Sequence, residues 1–278
     1  MILSEFRNIT KRTGSFVRAI LNCRGINSNS VPLVPNFMKM TVDKQNYPLH
    51  DYYKDIYKKY DLVNRIFTFG LDKRWRKKAV ARCLENSPSN VLDVCTGTGD
   101  LILEIANKAE NTQYLSGYDF SPEMLKVAKE KASDAGSNID LIEGNVASMP
   151  YENEHFDAAG ISFGLRNLIY QNSNADQHLQ EIHRVLKSGG RFVILESSKP
   201  SNPVWRFFNG IYLQYILPYL GGAISGNLKA YKYLASSSKN YYTREQMRTI
   251  LTSSGFALES SQSLFLGSVM LMVVKKLA

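Results

Sequence analysis

The sequence predicts an α/β fold, a doubly wound and mostly parallel sheet that finishes in an antiparallel edge. Three observations carry this. Short β-branched or apolar runs alternate with amphipathic helical segments from residue 90 to residue 196. The first such run, "NVLDVC", breaks into the glycine-punctuated turn "TGTGD". Two apolar runs, at residues 256–262 and 264–275, close the chain with no helix between them, as a terminal hairpin would.

Taken in order, residues 47–86 read as helical, with Tyr53, Tyr57 and Tyr60 at helical spacing and a basic helix around "DKRWRKKAVARCL". "NVLDVC" is then a strand, "DLILEIANKA" an amphipathic helix and "YLSGYD" a strand ending in an acid. "SPEMLKVAKEKAS" is a helix with Ser121 as N-cap, Pro122 at the first helical position and Glu123 in the first turn. "IDLIEGN" and "HFDAAGISFG" are strands, "ADQHLQEIHRVLKSG" is a helix with a glycine stop, and "GRFVILE" is the next strand. Beyond residue 197 come the helical stretch "NPVWRFFNGIYLQYILPYLGG", a polar connector and the helix "TREQMRTILTSSG".

At 278 residues and 44% hydrophobic content, the length suits one large domain with additions. The net charge of +9 is unevenly spread: residues 1–40 hold six bases against Glu5 and supply +5, so the rest of the chain carries only +4. A body so weakly basic, without a basic-aromatic strip, makes a poor nucleic-acid binder. Cys23, Cys83 and Cys95 have neither CxxC nor disulfide-framework spacing, which implies a reducing compartment and no metal site. No apolar run reaches the roughly 18 residues of a membrane span, so a soluble, cytoplasmic protein is expected. Residues 1–46 are basic, then Pro-punctuated, and are expected to be a disordered extension. Their Arg-rich, acid-poor start resembles a mitochondrial transit peptide, which would place the protein in the matrix; the other reading is an over-long start, with Met38 or Met40 as the true one. Residues 47–278 form the main domain, with 47–86 as a helical cap and 197–240 as a substrate-side helix and connector.

Ligands of doubly wound sheets sit beyond the carboxyl ends of the strands. After the first strand, Gly97 and Gly99 allow a tight turn and close approach of backbone to ligand. Ile102 stands where the dinucleotide fingerprint needs its third glycine, which argues against a nicotinamide cofactor. Asp119 ends the second strand, about 20 residues beyond the loop, where an acid accepts both hydroxyls of an adenosine ribose; otherwise it caps the next helix. Asn145 follows the third strand, in place for a nucleobase edge, and Ser162 ends the fourth on the same cleft. A glycine loop and a ribose acid without phosphate-binding apparatus point to S-adenosylmethionine.

Five stretches in order, "YDLVNRIFTFGLDKRWR" (60–76), "VLDVCTGTGDL" (91–101), "ISFGLRNL" (161–168), "HRVLKSGGRFVILESSKP" (183–200) and "YKYLASS" (231–237), resemble the UbiE/COQ5/MenG group of quinone C-methyltransferases over about residues 47–270. The resemblance implies a class I S-adenosylmethionine-dependent methyltransferase with a Rossmann-like sheet, acting on a demethylated prenylquinol. "CTGTGD" and the short 105–145 region look more like menaquinone-type members, which makes 2-demethylmenaquinol the expected acceptor and the ubiquinone precursor the alternative. Carried over by position, it assigns Thr98, Asp119, Asn145, Val146 and Ser162 to the cofactor. "NV" stands where "NA" is commoner, and "GSVMLMVVKK" lacks the family's usual finish, so no C-terminal contact is carried over. The resemblance further implies a polyprenylated partner, contact with the inner membrane surface, and assembly as a homo-oligomer or within a quinone-synthesis complex. A reading from another class is a non-catalytic member of such a complex that binds the cofactor structurally.

Quinol C-methylation needs orientation and charge stabilisation. Arg166 stays protonated and is expected to stabilise the developing quinolate, with Asn167 fixing an oxygen; the alternative for Arg166 is a salt bridge to a helix acid. Tyr60, Asp61 and Asn64 either close over the site, where Tyr60 and Asn64 would meet substrate, or serve packing and capping. His155 and His183 read as structural or solvated. The stretch Val204 to Gly222 either packs on the sheet or dips into a bilayer surface, and nothing in the sequence separates the two.

Overall fold

The computed structural model describes residue 57 and residues 60–277, so the expectations for residues 1–46 lie outside the described residues. The chain enters through α1 (Tyr60–Phe67) and α2 (Leu71–Cys83), turns at left-handed Gly70, and reaches β1 (Asn90–Val94). The βα units follow as α3 (Asp100–Ala106), β2 (Tyr114–Asp119), α4 (Pro122–Asp134), β3 (Asp140–Glu143) and β4 (Phe156–Ser162). Next come α5 (Leu165–Ile169), α6 (Ala175–Val185) and β5 (Leu186–Ser197). Ser121 caps α4 as expected, its hydroxyl accepting the Met124 N–H at 3.3 Å with Pro122 at the first turn.

Beyond the fifth strand, α7 (Pro203–Ile211), a π-helical turn (Tyr212–Ile216) and α8 (Leu217–Ser225) form one continuous rod. Pro218 has no N–H to give the preceding turn, which accounts for the wider π geometry just before it. The segment expected to be a polar connector holds a further helix, α9 (Leu228–Lys239). Its serines mask an apolar stripe, for Ala230, Tyr231 and Ala235 are buried against Val63, Leu213 and Leu217 in a small separate core. The chain ends with α10 (Arg244–Ser253), held by a Thr243–Gln246 capping box, then β6 (Phe256–Leu264) and β7 (Val269–Lys276).

The seven strands lie in the order β3-β2-β1-β4-β5-β7-β6. The first five are mutually parallel; β7 runs antiparallel to β5 and pairs with β6 as a hairpin at that edge. Strand alternation divides the core. Phe192, Ile194, Met270, Met272 and Val274 face α5, α6 and α10, while Val193, Leu195, Leu271 and Val273 face α2 and α3. Helices therefore cover both faces, which is the doubly wound, Rossmann-like arrangement expected of a class I methyltransferase. The order reverses between β1 and β4, and the crevice above their carboxyl ends is where the fold leaves room for a ligand.

Candidate active site

Above that crevice lies a cavity of about 320 Å³, bounded by the ends of β1, β2 and β4. Asp119 forms its floor. One carboxylate oxygen accepts the Gly97 N–H at 2.8 Å and the other accepts the Ser121 N–H at 2.9 Å, so one side chain ties the glycine loop to the start of α4. Burial raises the Asp119 carboxyl above the ordinary aspartate range, although these backbone donors pull it back. Gly97 lies on the same cavity with φ +55, and a Cβ there would meet nothing within 4 Å. It would project into the space a ligand needs. Gly99, at φ +83, serves packing instead, since a Cβ would come within 3.1 Å of the Ala128 methyl and its absence lets α3 and α4 approach.

Two further residues adopt the left-handed region without being glycine, Cys95 at φ 55 and Phe163 at φ 58. Each ends a central strand and lines this cavity. Such conformations cost of order 1–3 kcal/mol for residues with a Cβ and persist only where surrounding packing enforces them. Here Gly164 supplies the constraint, since a Cβ on it would lie 2.6 Å from the Cys95 Cβ. The two strand ends are pressed together, and the chain turns sharply to bring α5 over the crevice.

A second cavity, of about 170 Å³, opens under the roof formed by α1 and the π-helical turn. Its walls are largely apolar, with Phe67, Trp75, Leu213, Leu217 and Phe265 among them, and its floor carries Arg166 and Glu196. Arg166 is only 4% exposed. Its guanidinium donates to the Leu234 carbonyl at 3.3 Å and to the Ser238 hydroxyl, while Nε has no hydrogen-bond partner. Among the described residues it forms no ion pair, so the helix-acid alternative has no support. A buried guanidinium with donors to spare fits an anion that arrives with the ligand. Tyr60 and Phe163 line both cavities, so the two sites meet there.

Helix α1 is fastened to the glycine loop. The Thr98 hydroxyl donates to Asp61 at 2.7 Å, and Lys131 bridges Asp61 at 2.6 Å and Asp100 at 2.7 Å. Arg76 joins Asp100 at 2.7 Å and also pairs with Asp72. This chain of charges holds Tyr60 and Asn64 over the crevice.

Asn145 and Ser162 fall on the first cavity with Asp119 and Gly97, where the strand-end argument looks for them; Val146, assigned by the resemblance alone, lies there too, and Asn64 falls on the second. Thr98 is turned to Asp61 and borders only a small side pocket. Arg166 and Asn167 part company: Asn167 lines the first cavity and Arg166 the second. Successive helical residues point about 100° apart, so one turn of α5 serves both sites. Neither His155 nor His183 touches either cavity; His183 packs on Phe256 with its ring nitrogen beside Gly255. Sequence reasoning missed Cys95, Met124 and His178 on the first cavity and Glu196 and Ser238 on the second. Glu196 ends β5, so the strand-end rule had the means to find it; the others reach the site only through tertiary packing.

Asp93, buried behind the loop, accepts the Thr96 hydroxyl at 2.7 Å, yet burial pushes its carboxyl up to about 7. A folded-state value above the unfolded one means the neutral acid favours folding; that contribution is complete below the unfolded value and is lost as pH rises through about 7. Asp93→Asn is therefore expected to stabilise the protein by a few kcal/mol at about pH 8 and by little at about pH 5, read from urea midpoints at both. Equal effects at the two pH values would contradict the assignment.

Residues 39–276 match the ubiE/COQ5 methyltransferase family. The chain is 38% identical over 206 residues to the demethylmenaquinone methyltransferase of Thermus thermophilus, covering 74% of this chain and 91% of that protein. It is 40% identical over 200 residues to the ubiquinone/menaquinone biosynthesis C-methyltransferase UbiE of Geobacter sp. strain M21, covering 71% and 83%. Among solved structures, an S-adenosylmethionine-dependent methyltransferase from Clostridium acetobutylicum superposes with a TM-score of 0.58 over 80% of this chain and 98% of its own, at 14% identity. A SAM-dependent methyltransferase from Aquifex aeolicus gives 0.52 over 72% and 88%, at 18% identity. At those identities the structures speak for the fold alone.

Proposed function

The chain belongs to the ubiE/COQ5 methyltransferase family, and on that premise we propose that it methylates a ring carbon of 2-demethylmenaquinol, giving menaquinol. It is a C-methyltransferase that uses S-adenosylmethionine. The observation that carries the acceptor reading is the pair of cavities meeting at Tyr60 and Phe163, one floored by Asp119 and the other apolar with Arg166 at its base. Relatives named for demethylmenaquinone support the menaquinone side, and those named for both quinones make the ubiquinone precursor the comparison to test.

The first cavity suits the cofactor: Asp119 offers a carboxylate to the ribose, Asn145 and Val146 border the place for the adenine, and Gly97 leaves room for backbone approach. When bound, S-adenosylmethionine supplies an electrophilic methyl group on a positive sulfur. Tyr60 and Phe163 border the junction across which that methyl must pass, and Asn167 approaches it from the cofactor side. On the acceptor side, Arg166 meets the oxygen on which negative charge grows as the ring carbon becomes nucleophilic. Apolar walls exclude water and strengthen that interaction.

The rod α7–α8 gives the acceptor a route from a membrane. Among the described residues no helix is long and apolar enough to cross one. Yet α7 buries none of its side chains, and Val204, Phe207, Phe208, Tyr215 and Tyr219 are all more than half exposed, while Tyr212, Leu213 and Leu217 on the reverse line the acceptor cavity. Residues 197–240 hold five bases, four of them exposed, and no acid. An apolar face within a basic segment is complementary to an anionic lipid surface. Phe207→Glu with Phe208→Glu is expected to weaken binding to vesicles containing phosphatidylglycerol by about tenfold or more. Turnover of a short-chain acceptor in solution should be unchanged, and undiminished vesicle binding would rule out this face.

The reading as a whole is tested by incubating the protein with labelled S-adenosylmethionine and demethylated mena- and ubiquinols. Label in the menaquinol is the expected result. Cofactor binding without transfer to either acceptor would favour the non-catalytic alternative.

A further inference from the structure

We propose that Glu196 accepts the proton of the acceptor's ring hydroxyl; the proposal rests on the quinol reading above. Activation requires an O–H bond to break, and Arg166, permanently protonated, cannot take that proton. Among the described residues no histidine lines the acceptor cavity, and the acids on it are Asp72 and Glu196. Asp72 is committed to Arg76 and to the Thr68 hydroxyl, with Arg65 3.7 Å away. Glu196 differs: it is 1% exposed, faces the cavity, and pairs with no cation among the described residues.

Its carboxylate is held in place by neutral donors. One oxygen accepts the Arg166 backbone N–H at 3.1 Å; the other accepts the Ser197 N–H at 2.7 Å and the Ser197 hydroxyl at 2.8 Å. These contacts fix the position of the carboxylate. The bond to Arg166 also ties the carboxylate on β5 to the helix carrying the anion-stabilising guanidinium. Tyr60, at the junction with the cofactor cavity, lies within electrostatic reach of both groups.

In the step, the hydroxyl O–H bond breaks, its proton passes to the oxygen of Glu196 that holds the Arg166 N–H, and the electron pair stays on the ring oxygen opposite the guanidinium. After the ring carbon has gained its methyl group, that carbon loses its hydrogen as a proton while a proton returns to the oxygen. One proton is therefore released per turnover, and Glu196 passes it to solvent.

Glu196→Gln keeps the size of the side chain but not its basicity; its amide oxygen can still accept the Arg166 N–H, with the NH2 then set against the Ser197 N–H. It is expected to lower kcat about 100-fold, with S-adenosylmethionine affinity and the acceptor KM within about threefold of the original. Its rate should climb about tenfold per pH unit between about pH 7 and pH 9, where only solution hydroxide can remove the proton, while the unaltered protein stays nearly flat. Full turnover in Glu196→Gln, or a pH dependence unchanged from the original, would overturn the proposal. Should that variant fail to bind cofactor, Glu196→Asp decides: a flat profile at reduced rate is expected, and a hydroxide-dependent one counts against Glu196. If the unaltered protein turns over no demethylated quinol, it is the acceptor reading that fails.

Discussion

Arg166→Met is expected to lower turnover about 10³-fold while S-adenosylmethionine binds with unchanged affinity, measured by calorimetry beside single-turnover rates. The separation follows from geometry: Arg166 borders the acceptor cavity and is absent from the cofactor cavity. Removing a donor aimed at developing negative charge costs about 10²–10³ in rate, and a full positive charge in a site with apolar walls belongs at the upper end. Folding also suffers, because the Leu234 carbonyl and Ser238 hydroxyl lose their partner, a loss of about 1–3 kcal/mol. Arg166→Lys separates charge from geometry. It keeps the cation but not the planar fork, and an intermediate rate is expected. Weakened cofactor binding in Arg166→Met with little loss of turnover would move this residue to the other cavity.

The division between Arg166 and Asn167 marks what a sequence can show. "GLRN" presents the pair as neighbours, and on sequence alone both belong at the acceptor. Which cavity each faces depends on where α5 sits after the left-handed turn at Phe163, and that turn is set by Gly164 against Cys95, a contact from another strand. By contrast Asp119, Asn145 and Ser162 were legible, because the end of a parallel strand delivers its residue to the crevice whatever the packing elsewhere. The strands were legible for a similar reason: apolar runs followed by glycine or an acid carry their boundaries locally. Helix α9 was hidden because the run Ser236–Ser238 puts polar residues on its buried side as well, Ser237 among them, leaving the stripe of Ala230, Tyr231 and Ala235 too thin to count as periodic. The α7–α8 rod was undecidable from its residues alone. An aromatic helix reads the same whether it packs or stays bare, and only the folded structure shows that no side chain of α7 is fully buried.

Asp119→Ala is expected to weaken S-adenosylmethionine binding about 10³-fold, from two lost charge-assisted hydrogen bonds to a ribose at about 1.5–3 kcal/mol each. Part of the loss is indirect, since the same carboxylate holds Gly97 and Ser121 in place, and without it the loop must be ordered by the ligand. Asp119→Asn is not a mild substitute. One carboxylate oxygen faces the Gly97 N–H and the other the Ser121 N–H, so either amide orientation sets an NH2 against a backbone donor. It should bind cofactor nearly as poorly as the alanine variant. Because Asp119 does not border the acceptor cavity, the acceptor KM should survive in both, and kcat should recover at saturating cofactor. Acid should mimic the substitutions in the unaltered protein. Burial raises the Asp119 carboxyl, so falling pH protonates it earlier than an exposed aspartate, and affinity for a ligand that needs the carboxylate declines with it. Titrations over a pH series test both points: a dissociation constant for Asp119→Ala within about threefold of the original at every pH would place the ribose elsewhere.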